Sequence, residues 1–429
     1  MRSSDDRSAR GYSPRLALVR SRWNPPKVVC VSSTLGWIDF SEHELRAARR
    51  LLANEDVGVR DELGLLAVHA GYADRFFPGT SVLQTRLRYA LFVPWLYKDC
   101  AHDRGSRPLA DRVQERELRL ARALKAASEQ GVIGDRLADS GQAPAQPPTF
   151  VYWTLLRTWG ILQLPVSRMT FHRQFARVAS PRGAFRDEDG GRVEELSSLW
   201  HASLPRSPGD DWIASATFSL RSDEREFLRR RIQLIPTGSV EGPRLLQSLV
   251  ELAPGPDPFW ASPAVLDAAG KERAIVERAG HAAGFVAILR ALYNAHVEHA
   301  LKRRGEHLAV LAQRLGEYHR DAEVLDLDAL GSDRVVSESL FKFLGRARVH
   351  VLSARRAKDL LGDEVVSLVA KQEQRRKGRR ARLGNLPAHE KNREAWARED
   401  KAATTKPLDY RWGRVYQLLA DLNETAISA

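Results

Sequence analysis

Apolar positions recur with helical spacing along most of the chain. From about Asp61 to Phe76, the residues Leu63, Leu65-Leu66, Val68 and Ala73 follow a 3.6-residue period, and Pro78-Gly79 stops the run. Upstream, Ser41 with Glu44 forms the S-x-x-E capping box of another helix through Leu45, Ala48 and Leu51-Leu52. Residues 105–130 carry a thin stripe of Val113, Leu118, Leu120 and Leu124 on a charged background, the pattern of a surface-laid helix. The stretch from Pro263 to about His319 is again strongly helical. Alternating or β-rich runs are few: Val28–Val31, Leu325–Leu330 and Arg348–Leu352 are candidate strands. These patterns predict a mainly α protein with a few short β-strands, in a multi-domain helical architecture.

Proline and glycine punctuation divides it. The run Gly141-Gln142-Ala143-Pro144-Ala145-Gln146-Pro147-Pro148 is the clearest linker, because prolines remove donors and stiffen an extended chain. The expected organisation is a basic arm at 1–27, an N-terminal helical domain at 28–140, the linker at 141–149, and a helix-turn-helix or winged-helix module at 150–235. A helical domain at 236–370, a basic segment at 371–401 and a C-terminal docking helix at 402–429 follow.

Charge sharpens this picture. The net charge is +13, and it sits at two places. Residues 1–27 hold seven Lys/Arg against two Asp, and residues 371–401 hold eleven against five Asp/Glu, so the body at 28–370 is nearly neutral. A polyanionic or acidic partner would therefore be gripped by the ends. Two cysteines, Cys30 and Cys100, are too few for a disulfide framework, and they fit a reducing cytoplasm. No apolar run is long enough to span a bilayer and no secretory signal opens the chain, so no membrane role is expected.

The densest basic cluster is Lys371-Gln372-Glu373-Gln374-Arg375-Arg376-Lys377-Gly378-Arg379-Arg380-Ala381-Arg382. If helical, Arg375 with Arg379 and Arg376 with Arg380 form adjacent cationic rows, which repel unless an anion neutralises them. Arg375, Arg376, Lys377, Arg379, Arg380 and Arg382 are therefore the first candidates for phosphate contacts, and a solvated linker is the alternative. A second run, Phe76 to Trp95, places Arg88, Phe92 and Trp95 on one helical face, with Arg86 nearby and Pro94 expected to kink or end the helix. Such a face could stack bases and touch phosphates, and the same spacing also builds a core in which Arg86 or Arg88 pairs with Asp61 or Glu62. A third candidate is Thr154–Gly160 followed by Ser167–Phe175, a helix, a glycine turn and a polar second helix, with Arg168, His172 and Arg173 as exposed readers.

The Phe76–Trp95 run, together with Ser33–Ser41, Arg60–Gly64, Tyr152-Trp153, Trp159-Gly160-Ile161 and Tyr410-Arg411-Trp412, resembles an uncharacterised bacterial family, the domain of unknown function numbered six-three-six-one. The resemblance implies a place in phage-defence gene neighbourhoods, beside helicases, methyltransferases or ATPases. It supplies no activity and no catalytic residue.

Enzymatic signals are sparse. The sequence has no P-loop, no G-x-G-x-x-G opening a helix and no G-x-S-x-G elbow, so no cofactor is expected. His296 and His299 lack the H-E-x-x-H spacing, and no metal site is expected. Asp326, Asp328, Asp333 and Lys342 are the only residues that suggest a metal-dependent nuclease, with a site dispersed in sequence. The expectation is a non-catalytic, cytoplasmic accessory subunit of a bacterial defence complex that contacts nucleic acid, DNA ahead of RNA. A dispersed nuclease or modifying site, or a scaffold for an acidic protein, are the alternatives.

Overall fold

The computed structural model describes residues 61–102, 107–178, 185–186, 192–193, 199–237, 244–252, 254–302, 305–397 and 406–423, all within the compact unit Val57–Ala429. The basic arm, the Val28–Val31 strand, the Ser41 capping box and the end of the basic segment at 398–401 lie outside the described residues.

Helices dominate. In chain order they are α1 Leu66–Phe76, α2 Tyr89–His102, α3 Leu109–Ala126, α4 Asp135–Ala138, α5 Pro148–Val151, α6 Trp153–Thr158 and α7 Arg168–Val178, then α8 Ser222–Gln233, α9 Leu245–Leu249 and α10 Pro263–Ala268. They continue as α11 Arg273–Ala300, α12 Glu306–Val324, α13 Leu327–Ser332, α14 Glu338–Ser353, α15 Asp363–Lys377, α16 Pro387–Trp396 and α17 Trp412–Asn423. Among the described residues, β structure is confined to an antiparallel pair of two-residue strands, β1 Phe185–Arg186 and β2 Arg192–Val193, and one isolated bridge between Leu162 and Trp200. The protein is mainly α.

α11 is the axis. Seventeen of its 28 residues are buried, from Val276 to Glu298, so it presents apolar surface on almost every side, as a helix does when others surround it. Two glycines let neighbours approach. A Cβ on Gly280 would lie 2.5 Å from the Trp260 ring, and one on Gly284 would collide with the Asp321 carboxylate of α12. Side chains from Leu63 to Leu422 share one hydrophobic core with α11.

Three local expectations are corrected. Leu325–Leu330 is not a strand: the Asp326 side chain accepts from Ala329 N at 2.9 Å and caps α13. Arg348–Leu352 lies inside α14, where Val351 is buried with Leu344 and Ala347 while Val349 faces solvent, so its apparent alternation is one helical turn read too locally. Pro94 lies inside α2 and does not end it. The helix starts at Tyr89 and runs on to His102, and Gln84 before it is fully buried and donates its amide to the Gly79 and Val151 carbonyls.

Segments far apart in sequence are tied through buried polar groups. Arg88 donates to Glu224 at 2.9 Å and to the Thr217 carbonyl at 2.8 Å, joining the start of α2 to α8. Glu117 of α3 accepts from Thr149 N at 2.8 Å, fastening the end of the Pro-rich loop to the helix core. Burial pushes the Glu117 carboxyl from its ordinary value near 4.5 up to about 7, against the opposing pull of the Thr149 hydrogen bond.

Two measurements test these ties. Arg88→Ala leaves the buried Glu224 only the part-exposed Arg221 side chain at 3.3 Å and the Arg221 N–H, and is expected to lower unfolding free energy by roughly 3 kcal/mol, whereas Arg88→Met combined with Glu224→Leu should cost much less. Equal losses in denaturant titrations would refute the pairing as the source. For Glu117, the folded value lies above the unfolded one, so the folded state holds the proton more tightly. Its stabilising contribution is complete below about pH 4.5 and declines through pH 7. Thermal melts should show a stability slope between those values that Glu117→Gln flattens.

Candidate nucleic-acid interface

The basic cluster folds as the end of α15, a turn and the start of α16. α15 stops at Lys377 because Gly378 adopts φ +53 and ψ −121, a conformation that favours glycine. Arg375, Arg376 and Lys377 thus occupy the last helical turn, where cations meet the negative end of the helix dipole. The expected i,i+4 rows are corrected accordingly: the helix ends between Arg375 and Arg379, so no continuous cationic row forms.

No external polyanion is needed to order this segment. Glu373, buried, accepts from Arg382 N at 2.9 Å, Leu383 N at 2.7 Å and the Tyr293 hydroxyl of α11 at 2.5 Å. Burial and the neighbouring carboxylate hold the Tyr293 hydroxyl well above its ordinary range, so it remains a donor. Around this centre the turn's carbonyls face inward. Gln374 donates to Leu383 O, Asn392 to Arg379 O and Ala381 O, and Arg393 to Arg382 O and Gly384 O. Gly384 is required for closure, since a Cβ there would overlap His389 and crowd Gln374. With those carbonyl dipoles directed at donors, cationic side chains dominate what the turn offers to solvent.

The six candidates separate into two groups. Arg382 pairs with Glu62 at 2.8 Å, and Arg376 reaches Asp61 at 3.3 Å, so both brace the turn against the segment before α1. Arg375, Arg379 and Arg380 are exposed, and Lys377 is partly so. Among the described residues, Arg375 and Arg379 have no ion-pair partner.

The second candidate patch is internal. Trp95 is buried and donates its indole N–H to Pro205 O at 2.8 Å, packing against Phe92 and Trp212. Arg88 is 5% exposed and held by Glu224. Arg86 pairs with Asp421 of α17 at 3.0 Å, donates to Gln130 O and lies 4.7 Å from the Phe218 ring centroid. The basic-aromatic face is thus a core feature, with Glu224 and Asp421 as partners in place of Asp61 and Glu62. Single-sequence spacing could not choose between partners 130 and more residues away.

In the third candidate, the helices α6 and α7 do form, joined through Gly160 at φ +61. His172 is not a reader: its Nε2 lies 2.6 Å from the Tyr97 hydroxyl, and burial lowers the imidazole to about 3, so it is a neutral partner in the core. Arg173 is exposed and Arg168 half-buried, 5.9 Å from the Phe150 ring.

The acidic residues that suggest a nuclease do not converge. Asp326 caps α13, Asp333 holds Arg278 and the Tyr72 hydroxyl, both at 2.8 Å, and Lys342 pairs with Glu338 on its own helix. His296 bonds Leu360 O and His307 packs against Trp396 with the rings tilted at 52°. Among the described residues, no three His, Cys, Asp or Glu side chains meet in metal-binding geometry, and no helix is long and apolar enough to cross a membrane.

Because Glu373 organises the turn through both carboxylate oxygens, Glu373→Gln replaces one acceptor with a donor facing a backbone N–H group. It should destabilise the protein by about 2–4 kcal/mol and accelerate tryptic cleavage between Arg375 and Arg382. Wild-type cleavage rates in the variant would show that the turn is ordered by something else.

Comparison with known proteins bears on identity alone. No curated protein and no solved structure matches the chain. The model described as a family of unknown function, DUF6361, matches residues 32–333. That span is well over half of the 429 residues and ends within the helical body, before α14, so the chain belongs to the family of unknown function DUF6361.

Proposed function

We propose that this protein is a non-catalytic, nucleic-acid-contacting accessory subunit of a bacterial anti-phage defence complex, gripping the phosphate backbone through the cationic turn after α15. The observation that carries this reading is the exposure of Arg375, Arg379 and Arg380 on a turn locked from beneath by Glu373. A loop that must be ordered on binding loses conformational entropy at that step. A prefolded one does not. Guanidinium forks match phosphate oxygens in bidentate geometry, and each phosphate neutralised releases condensed counterions. DNA is the proposed ligand ahead of RNA. The defence setting, with a helicase, ATPase or methyltransferase as neighbouring subunit and the cytoplasm as compartment, rests on the family resemblance and the cysteine usage.

Salt-titrated binding of the full chain to DNA, with Mg²⁺ present and products resolved on a gel, tests the proposal. The triple substitution Arg375→Glu, Arg379→Glu, Arg380→Glu should weaken binding at every sequence and lower the log–log salt slope by about 0.9 for each duplex phosphate that is no longer neutralised. Unchanged affinity would remove the turn from the interface, and cleaved substrate would replace a positioning role with catalysis.

A further inference from the structure

Phe150 stands apart from the other phenylalanines whose burial the structure describes. The residue is 49% exposed, while Thr149 before it and Val151 after it are buried. The backbone that carries it is immobilised three ways. Pro147 and Pro148 fix φ ahead of it, the amides of Phe150 and Val151 donate to Pro147 O at 2.9 and 3.0 Å, and Thr149 N is held by the buried Glu117. The ring therefore projects from a fixed stretch of backbone. Arg168 opens α7 and holds its guanidinium carbon over the ring, 5.9 Å from the centroid. One turn further on, His172 is anchored on Tyr97, which restricts the helix that positions Arg168.

An exposed aromatic ring in contact with a guanidinium is a pairing that single-stranded nucleic acids use: a base stacks on the ring surface left open, and the cation takes the adjoining phosphate. Base faces inside a duplex are covered by their neighbours, so such a ring can act only on a base that is unpaired or splayed out. We infer that Phe150 and Arg168 form a stacking site for an unpaired nucleobase, with Arg168 on its phosphate. This rests on the nucleic-acid reading above and adds to it the strand state that the ligand must have.

The test uses the full chain and fluorescence anisotropy at low salt, with an oligothymidylate of about 20 nucleotides, longer than one stacking module occupies, and a blunt duplex as probes. Phe150→Ala should weaken single-strand binding roughly tenfold and leave duplex affinity within about twofold. Phe150→Tyr should retain wild-type affinity, whereas Phe150→Leu should not, because stacking needs a π face. The residue is half exposed, so the variants should melt with the wild type. Unchanged single-strand affinity in Phe150→Ala, an equal loss on both probes, or full rescue by leucine would each overturn the stacking site. If Phe150→Ala binds normally while the triple arginine variant does not, this inference fails and the cationic turn stands. If the wild type binds neither probe, both fall.

Discussion

A carboxylate removed from water must find donors for its lone pairs, and in this protein that requirement ties the chain together over long distances. Glu224 takes Arg88 from 136 positions earlier, and Asp421 takes both the Arg86 guanidinium and the Leu87 amide. Glu272 takes Arg75 and Leu245 N, and Glu373 takes Tyr293, Arg382 N and Leu383 N. Each carboxylate accepts from a segment distant in sequence from its own, so each ties two parts of the chain together. The apolar core around α11 supplies the driving force for collapse, but apolar contact is non-directional. Directionality, and with it the register of α2 against α8 and α17, comes from these polar anchors.

The same constraint governs what the arginines can do. An arginine-rich chain with a nearly neutral body could present many cations to a partner, yet Arg75, Arg86, Arg88, Arg278 and Arg382 are committed to internal carboxylates. Charge counted along the sequence therefore overstates the charge offered to solvent. What distinguishes the turn after α15 is that the internal demand there is met largely by backbone amides and by Tyr293, which leaves Arg375 and Arg379 outside the ion-pair network.

Helical periodicity makes the fold class legible, along with most of the long helices, because a 3.6-residue apolar repeat depends only on near neighbours. Sequence reasoning fails where the deciding contact lies far away. Val349 and Val351 alternate like a strand until the buried Leu344 and Ala347 show which face is inside. Arg88 and Trp95 share a helical face in sequence, but only Glu224 and Trp212, brought in from beyond residue 200, make that face a core. Gly280 and Gly284 give no signal of their own, since a glycine in a helix reveals its purpose only when Trp260 and Asp321 are seen against it. Phe150 is equally silent in sequence, because it follows a proline-rich stretch that reads as linker, and a linker residue is not expected to be held still.

That immobility links the two surfaces proposed for ligand contact. The Phe150 backbone rests on Glu117, which accepts Thr149 N, and the α15–α16 turn rests on Glu373, which accepts Arg382 N and Leu383 N, each a buried acidic side chain beside exposed recognition groups. In both places the cost of burying a polar acceptor is met in the folded state, before any ligand arrives, and what it secures is the conformation of a short surface segment. A fold that needed only stability could fill such positions with apolar side chains at similar or lower cost. A fold that must present a ring and a set of guanidiniums in fixed positions gains from an acceptor that only one backbone geometry can satisfy.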